Sequence, residues 1–321
     1  MIRNSLKTIF ALGSLFAISQ PALAADSLDQ IQYATPGNEV VFVGGVGYTW
    51  LEGNELVYDK SGNRISHLIW ESQALVVTGA LKAEVMKDWV VSANAAVSFS
   101  GNSHMEDYDW LEDAPSYKFG DWSHQSIHPD TRLDRYVNLD IALGRDFTVD
   151  DSTVVNLHGG FKYTNVKWTS YGGSFTYSKN GFRNLTGDFP DRPGITFEQR
   201  LPGLFVGAEA TAKSGAWTFS GLVRGGVTID ASDTDYHWLR NIRFEEKYGA
   251  IPFVSLAAKA DYALNDRAGI FVAGNFDNYF RKTGDTSMYR IVDGERGPTM
   301  TGGAGMSFRA TTVSAGLKVS F

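Results

Sequence analysis

The chain has 321 residues, a formal net charge of −7 and no cysteine. Without cysteine it cannot form disulfides, thiolate metal sites or a cysteine nucleophile, and its acidic balance argues against a nucleic acid partner, which requires a basic surface. A mean hydropathy of −0.19 excludes a bundle of membrane-spanning helices, but it leaves open a membrane fold in which apolar and polar residues alternate.

Residues 1–24 have the pattern of a secretory signal peptide. Arg3 and Lys7 supply a positive region, residues 9–18 form a short apolar segment, and Ala22-Leu23-Ala24 matches a small-x-small cleavage site. A buried N-terminal helix is the disfavoured alternative. We therefore expect an exported protein in which residues 25–321 form one domain. No stretch of that domain has the run of about 18 apolar residues that a membrane-spanning helix needs.

Several later stretches alternate between apolar and polar residues, which predicts β-strands with one apolar and one polar face. The clearest examples are 137–144, 155–164, 217–230 and 313–321. Their polar face carries Asp140, Lys162 and Arg224, whereas the inner face of a soluble β-sandwich must be apolar. The alternation therefore favours a barrel with a polar interior over a sandwich.

Turn residues divide the chain into ten predicted strands. The nine connections are alternately short (86–88, 149–152, 213–215 and 264–266) and generally longer (60–63, 102–133, 178–193, 238–245 and 291–300). Tight turns at one end and long loops at the other are typical of an outer-membrane β-barrel, and closure satisfies the edge hydrogen bonds. We predict an all-β fold, a ten-stranded antiparallel transmembrane β-barrel that extends above the outer membrane.

Two acidic clusters fall at the predicted long-loop end. They contain Glu106, Asp107, Asp109, Glu112 and Asp113, and then Asp230, Asp233, Asp235 and His237. Residues two apart in an extended chain point the same way, which pairs Asp107 with Asp109 and Asp235 with His237. Crowded carboxylates raise one another's pKa, which suits holding a water molecule, and a carboxylate beside an imidazole orients it as a base.

Other interpretations of these clusters stay open. Acidic loop residues are most often solvated surface, and Asp107-Tyr108-Asp109-Trp110 lacks the glycine of a calcium-binding EF-hand loop. Neither cluster has the ligand spacing of a zinc site, so we expect no metal. Ser126-Ile127-His128 has no Gly-x-Ser-x-Gly elbow around it and is therefore a weak indication of a serine hydrolase.

The second cluster also has an unexpected parity. The apolar, lipid-facing positions of the predicted strand at 217–229 are odd-numbered, as are Asp233, Asp235 and His237. Strict alternation would point these three side chains outward. They line the interior only if an extra residue switches the parity, so we predict a β-bulge between Ile229 and Asp233.

Over essentially the whole mature chain the sequence resembles the omptin family, the outer-membrane endopeptidases of Gram-negative bacteria. The motifs that carry the resemblance are Asp107-Tyr108-Asp109-Trp110, Ser126-Ile127-His128-Pro129-Asp130-Thr131, Gly181-Phe182-Arg183, Asp233-Thr234-Asp235-Tyr236-His237 and the terminal Gly316-Leu317-Lys318-Val319-Ser320-Phe321. The resemblance implies a ten-stranded barrel with its active-site cleft above the outer leaflet, facing the exterior of the cell.

The resemblance also implies catalytic roles. Asp235 and His237 match the family's Asp–His dyad, and Asp107 and Asp109 match the aspartate pair that faces it across a water molecule. His237 would take a proton from the water that attacks the scissile carbonyl, without an acyl-enzyme. Ser126 and His128 match residues once considered catalytic in the family, and we assign them a supporting role.

Omptins cleave beside basic residues, and the acids at the floor of their P1 pocket match Glu55 and Asp233. A buried cation needs such partners to offset its desolvation. The acid associated with the P1′ side is replaced here by His124. We therefore expect basic peptides or proteins as substrates, with a relaxed preference at P1′.

Omptins also require lipopolysaccharide as an activating lipid. Its phosphates bind outward-facing basic side chains, and Arg200 matches such a family contact. Another family arginine is replaced by Asn165, for which the nearby Lys167 is a candidate substitute. We expect the outer membrane and lipopolysaccharide as partners and no other cofactor.

Two alternatives to an endopeptidase remain at this level. The first is a non-enzymatic barrel, an adhesin or small pore whose acidic clusters only shape a surface. The second is an enzyme that acts on lipid rather than on peptide.

Overall fold

The computed structural model describes residues 40–321, so the predicted signal peptide lies outside the described residues. The described chain forms antiparallel strands β1 (Val40–Tyr58), β2 (Arg64–Met86), β3 (Trp89–Ser98), β4 (Asn102–Asp109), β5 (His124–Thr148), β6 (Thr153–Tyr171), β7 (Ser174–Tyr177), β8 (Leu185–Asp188), β9 (Pro193–Ser214), β10 (Trp217–Thr228), β11 (Ala231–His237), β12 (Ile242–Gly249), β13 (Pro252–Ala263), β14 (Ala268–Arg290) and β15 (Arg296–Ser320). Two short 3-10 helices, Phe119–Asp121 and Trp238–Arg240, complete it. No described helix is long and apolar enough to span a membrane.

The sheet closes on itself through ten strands. At the short-turn end the ring runs β1-β2-β3-β5-β6-β9-β10-β13-β14-β15 and returns to β1. At the other end β4, β11 and β12 replace β3, β10 and β13, so each of these pairs acts as one interrupted strand. The predicted ten-stranded antiparallel barrel is therefore confirmed.

The short turns lie where the sequence predicts them, but three of the five longer connections are narrower than predicted. The predicted connection at 102–133 is wrong in extent, because β4 and the start of β5 occupy its two ends. Likewise, β12 begins at Ile242 and β15 at Arg296, inside the predicted loops. These segments lie beyond the apolar belt, where no face has to contact lipid, so the alternation that identifies membrane strands is lost there.

The two faces of the alternating segments separate as predicted. A belt of large apolar side chains is exposed on the outside, including Val46, Leu75, Val77, Ile141, Leu157, Val206, Val223, Val272 and Leu317. Inside, Arg224 Nη1 lies 3.1 Å from Asp140 Oδ1, and Lys162 Nζ lies 2.5 Å from Asp277 Oδ1, all four side chains being buried. A polar interior inside an apolar exterior excludes the β-sandwich.

Above this polar layer an aromatic stack crosses the interior. The Trp70 ring lies 6.0 Å from that of Trp168 and 5.7 Å from that of Phe197, in stacked orientation. Gly53 makes room for the stack, since a Cβ there would lie 2.8 Å from the Trp168 ring. Because Trp70 pairs with Met105, two residues before Asp107, the stack lies directly on the membrane side of the first aspartate pair.

The predicted β-bulge is also present. Thr228 of β10 pairs with Gly203 of β9, while Ser232 of β11 pairs with Arg200. Three residues on one strand thus oppose two on the other, and Asp230 within the bulge has a φ of 129°. The parity change turns Asp233 and Asp235 into the barrel, where both are buried.

Candidate active site

Asp107 and Asp109 lie on the interior face of β4. Asp107 is the cross-strand partner of Leu68 on β2 and of Ser126 on β5, and Ser66 Oγ donates a hydrogen bond of 3.3 Å to its Oδ1. Burial and then the Asp109 carboxylate raise the pKa of Asp107 well above its ordinary value. Burial also raises the pKa of Asp109, so the pair holds a proton more tightly than two separate aspartates.

Asp235 and His237 form a pair on β11. His237 Nε2 lies 2.5 Å from Asp235 Oδ2, although the angle is poorer than in a well-formed hydrogen bond. Phe244 of β12 packs edge-on against the imidazole, with 5.5 Å between ring centroids. The second ring nitrogen, Nδ1, is 3.5 Å from Arg240 Nη1, so it points away from Asp235.

The two pairs act on each other electrostatically, which indicates that they lie near each other. The Asp235 carboxylate contributes to the raised pKa of Asp107, and the His237 imidazole acts on Asp109 in the opposite direction. Arg240 opposes the rise in pKa of both aspartates. Arg240 was not identified from the sequence, since a charged residue in a predicted loop is ordinarily solvated.

A buried acidic pocket adjoins the Asp–His pair. Glu55 of β1 and Asp233 of β11 form it, and both are buried. Burial is the main reason why the pKa of each is raised well above its ordinary value. Glu55 Oε2 and Asp233 Oδ1 have no hydrogen-bond partner among the described residues, and buried carboxylate oxygens normally have one.

Two further residues of this pocket, Glu246 and Tyr248 of β12, were missed in the sequence. The Tyr248 hydroxyl lies 2.9 Å from Asp233 Oδ2 and 2.8 Å from Glu246 Oε2. Burial also raises the pKa of Glu246. Their period-two spacing from Phe244 could have indicated a strand face, but the sequence analysis assigned 238–245, including Phe244, to a loop.

Ser126, His128 and His124 lie on β5 beside the aspartate pair. Ser126 Oγ is 3.1 Å from the Tyr177 hydroxyl, and His128 Nδ1 is 2.6 Å from the Gly172 carbonyl oxygen. Burial lowers the pKa of His128, which favours the neutral ring, and its contact with Gly172 ties β5 to the turn before β7. His124 is the cross-strand partner of Asp109.

The predicted lipid-binding residues lie on the outer face of the barrel. Arg200 Nη2 is 2.5 Å from Glu198 Oε2, and Arg135 Nη2 is 2.5 Å from the other oxygen of the same carboxylate. Lys167 is the cross-strand partner of both Arg135 and Glu198. Arg135 also donates through Nε to Asn165 Oδ1, so this arginine, missed in the sequence, supplies a cation at the position where Asn165 lacks one.

Glu55, Asp235 and His237 each place one potential metal-ligand atom within 4.8 Å of the others. Two ligands of a tetrahedral zinc ion lie roughly 3.4 Å apart, given ordinary zinc–ligand bond lengths. The 2.5 Å contact between Asp235 and His237 is shorter. These residues therefore fit a carboxylate–imidazole pair beside an acidic pocket rather than a set of metal ligands.

The fold and the site together define an outer-membrane-type β-barrel whose long-loop end holds a cleft of buried carboxyls and an Asp–His pair. The omptin family model matches residues 38–321. The chain belongs to the omptin family.

Named relatives and a solved structure agree with this assignment. The chain is 28% identical to outer membrane protease OmpP of Escherichia coli, with all of both chains covered. It is 25% identical to the plasminogen activator of Yersinia pestis, over 84% of this chain and 86% of that protein. The crystal structure of outer membrane protease OmpT from Escherichia coli superposes with a TM-score of 0.82 at 26% identity, covering 89% of this chain and 98% of that one. The family and these relatives support an outer-membrane protein with a protease function.

Proposed function

We propose that this protein is an outer-membrane endopeptidase that cleaves polypeptides after basic residues with a water molecule activated by Asp235 and His237. The observation that carries the proposal is the electrostatic proximity of two pairs, Asp107 with Asp109 and Asp235 with His237, the latter in direct contact. Activating water in this way needs a base held in position, and the relatives named as proteases support peptide as the substrate.

The chemistry follows from the protonation of the two pairs. His237, oriented by Asp235 at Nε2, accepts a proton through Nδ1 from water held between the pairs as the oxygen attacks the scissile carbonyl carbon. The imidazolium then returns the proton to the leaving amine. The raised pKa of Asp107 favours a proton on the Asp107–Asp109 pair, and this proton would hydrogen-bond the oxygen that becomes negative in the tetrahedral intermediate. No residue of the protein forms a covalent bond to the substrate.

The preference for a basic P1 residue rests on the buried acidic pocket. Glu55 and Asp233 have oxygens without partners in an interior where an unpaired carboxylate is costly. A lysine or arginine side chain would supply both the charge and the hydrogen-bond donors. At P1′ the imidazole of His124 replaces the acid that would attract a second cation.

We expect a peptide-library profile of the wild-type protein to show cleavage after lysine or arginine, with no strict requirement at P1′. Mass spectrometry of the products reads out both positions. A strict requirement for lysine or arginine at P1′ would contradict the relaxed preference there but would not affect the predicted preference for a basic residue at P1. A profile without peptide cleavage would refute the endopeptidase, and release of acyl chains from lipid would favour the lipid hydrolase.

The packing of the described interior speaks against the non-enzymatic pore. Side chains fill it from the polar layer at Arg224 and Lys162 up to the stack of Trp70, Trp168 and Phe197. A barrel of about eight to ten strands is just wide enough for such filling. Because long loops are extracellular in such barrels, we propose that the cleft faces the cell exterior.

We propose that lipopolysaccharide activates the enzyme by binding at Arg135, Lys167 and Arg200. These cations lie on the outer face beyond the apolar belt, where lipid phosphates would meet them. Glu198 forms ion pairs with both arginines. It is also the cross-strand partner of Thr234 on β11, which lies between the pocket residue Asp233 and the dyad residue Asp235. Lipid binding would therefore order the strand that carries both.

Replacing Arg135 or Arg200 by alanine is expected to raise the lipopolysaccharide concentration for half-maximal activity about tenfold, because each removes a charge-assisted contact to phosphate. Activity of refolded protein is titrated with lipopolysaccharide. Arg267→Ala is the matched control, since Arg267 lies in the turn before β14 at the opposite end. Wild-type activity that is independent of lipopolysaccharide would contradict this proposal.

A further inference from the structure

Three acidic side chains share the floor of the buried pocket. Glu55, Asp233 and Glu246 are 3%, 1% and 3% exposed, and the Tyr248 hydroxyl bridges the last two. Neither the sequence nor the resemblance indicated Glu246, which adds a third carboxyl beside two that each have one oxygen without a hydrogen-bond partner.

The Tyr248 hydroxyl has too few hydrogens to bond to Asp233 and Glu246 if both carboxyls are ionised. Tyr248 has one phenolic hydrogen, yet its oxygen lies within 2.9 Å of oxygens from both Asp233 and Glu246. Burial and the two acids raise the pKa of Tyr248 well above its ordinary value, so the phenol keeps its hydrogen and donates it to one carboxylate. The other contact is attractive only if the second carboxyl is protonated and donates to the phenolic oxygen.

We infer that Asp233, Tyr248 and Glu246 form a proton-holding floor of the P1 pocket, and that a basic side chain expels this proton when it binds. The inference rests on the proposed recognition of basic residues and assigns Glu246 as a further specificity-determining residue. Binding is thus an exchange of cations: the protonated carboxyl of Asp233 or Glu246 becomes a carboxylate, the proton goes to solvent, and the ligand's positive charge takes its place.

The surroundings of the floor favour this exchange. The groups near the floor acids are the carboxyl of Asp235 on β11, the hydroxyl of Thr286 on β14 and the imidazole of His237, which lies within 4.8 Å of Glu55. The charged neighbours at alternate positions, which point to the outer face, are Arg243, Glu245 and Lys247 on β12, Glu198 and Arg200 on β9, and Asp285 on β14. The repulsion among buried acids therefore keeps one proton bound until a cation enters.

The test uses benzamidine, an uncleavable amidinium cation, with the wild-type protein in detergent and lipopolysaccharide. Calorimetric titrations in two buffers of different ionisation enthalpy count the protons released. We expect about one proton released per benzamidine, and a Kd that rises about tenfold per unit as the pH falls below the pKa of the floor. The expected direction follows because the cation binds the deprotonated floor only.

Glu246→Gln removes one acid and leaves Asp233 with the Tyr248 hydrogen. Proton release should fall clearly below that of wild type and the pH dependence of Kd should weaken, the remainder coming from Glu55 and Asp233, whose pKa values burial still raises. Glu245→Gln is the matched control, the same change one residue away on the outer face, and should behave as wild type. Tyr248→Phe should still release the proton, because Asp233 and Glu246 are direct cross-strand partners.

Absence of proton release from wild type between about pH 5 and 8 would overturn the inference, as would equal release from Glu246→Gln. Wild-type protein that binds no benzamidine would also overturn it. Peptide cleavage by the same preparations separates the two proposals. Cleavage after basic residues without proton release refutes only the proton-holding floor, whereas proton release without peptide cleavage refutes only the endopeptidase.

Discussion

Replacing Asp107 or His237 by alanine is expected to lower kcat/KM for a dibasic fluorogenic peptide by about 10³-fold or more. His237 is the only base that Asp235 orients in the described cleft, and Asp107 is the aspartate whose pKa responds to both its neighbour and Asp235. Neither change removes a carboxyl of the P1 pocket. The loss should therefore appear mainly in kcat, with KM changing little.

The controls for these variants remove the same groups elsewhere. His104→Ala removes an exposed imidazole that is paired with Glu71, and Asp113→Ala removes a loop carboxylate exposed to solvent. Both should retain wild-type activity. The double variant Asp235→Ala/His237→Ala should be no worse than His237→Ala, since the two residues act as one unit. Full activity of the Asp107→Ala and His237→Ala variants would refute the proposed mechanism.

The sequence was a good guide to the membrane-embedded part of the fold and a poorer one to the part above it. In the lipid belt, physical chemistry demands alternation, so the strands around Ile141, Val206 and Val223 were predictable. Beyond the belt both faces of the barrel are polar or covered by loops. The outer face of β2 at His67, for example, contacts the Phe119 ring, so no alternation marks β4 or β12.

Site residues that are close together in the sequence could be predicted. Site residues that meet only through the pairing register of two strands could not. The bulge near Asp230 followed from parity alone, since acids cannot face lipid. Glu246 meets Asp233 only through the β11–β12 register, and Arg135 reaches Asn165 only through the β5–β6 pairing region. A single sequence does not encode register in readable form when turn lengths are unknown.

Replacing Asp277 by alanine is expected to lower the free energy of unfolding by about 3–5 kcal/mol, because it leaves the Lys162 ammonium buried without its partner. Lys162 Nζ also contacts Ser255 Oγ at 3.2 Å, and Asn138 donates to the second Asp277 oxygen at 2.8 Å. A neutral hydroxyl does not compensate a charge. Equilibrium urea unfolding in lipid–detergent mixtures, followed by tryptophan fluorescence, measures the change.

The double variant Lys162→Met/Asp277→Ala should recover most of this loss, since the unpaired charge is then gone. Arg309→Ala is the matched control: Arg309 pairs with Glu52 on the exposed surface of the same barrel, its side chain 58% exposed, and its loss should cost less than about 1 kcal/mol. If Asp277→Ala cost no more than Arg309→Ala, the interior would be hydrated enough to solvate Lys162. The inference that the interior is packed, which argues against a pore, would then be wrong. The same measurement therefore tests both the stability of the barrel and the exclusion of a channel through it.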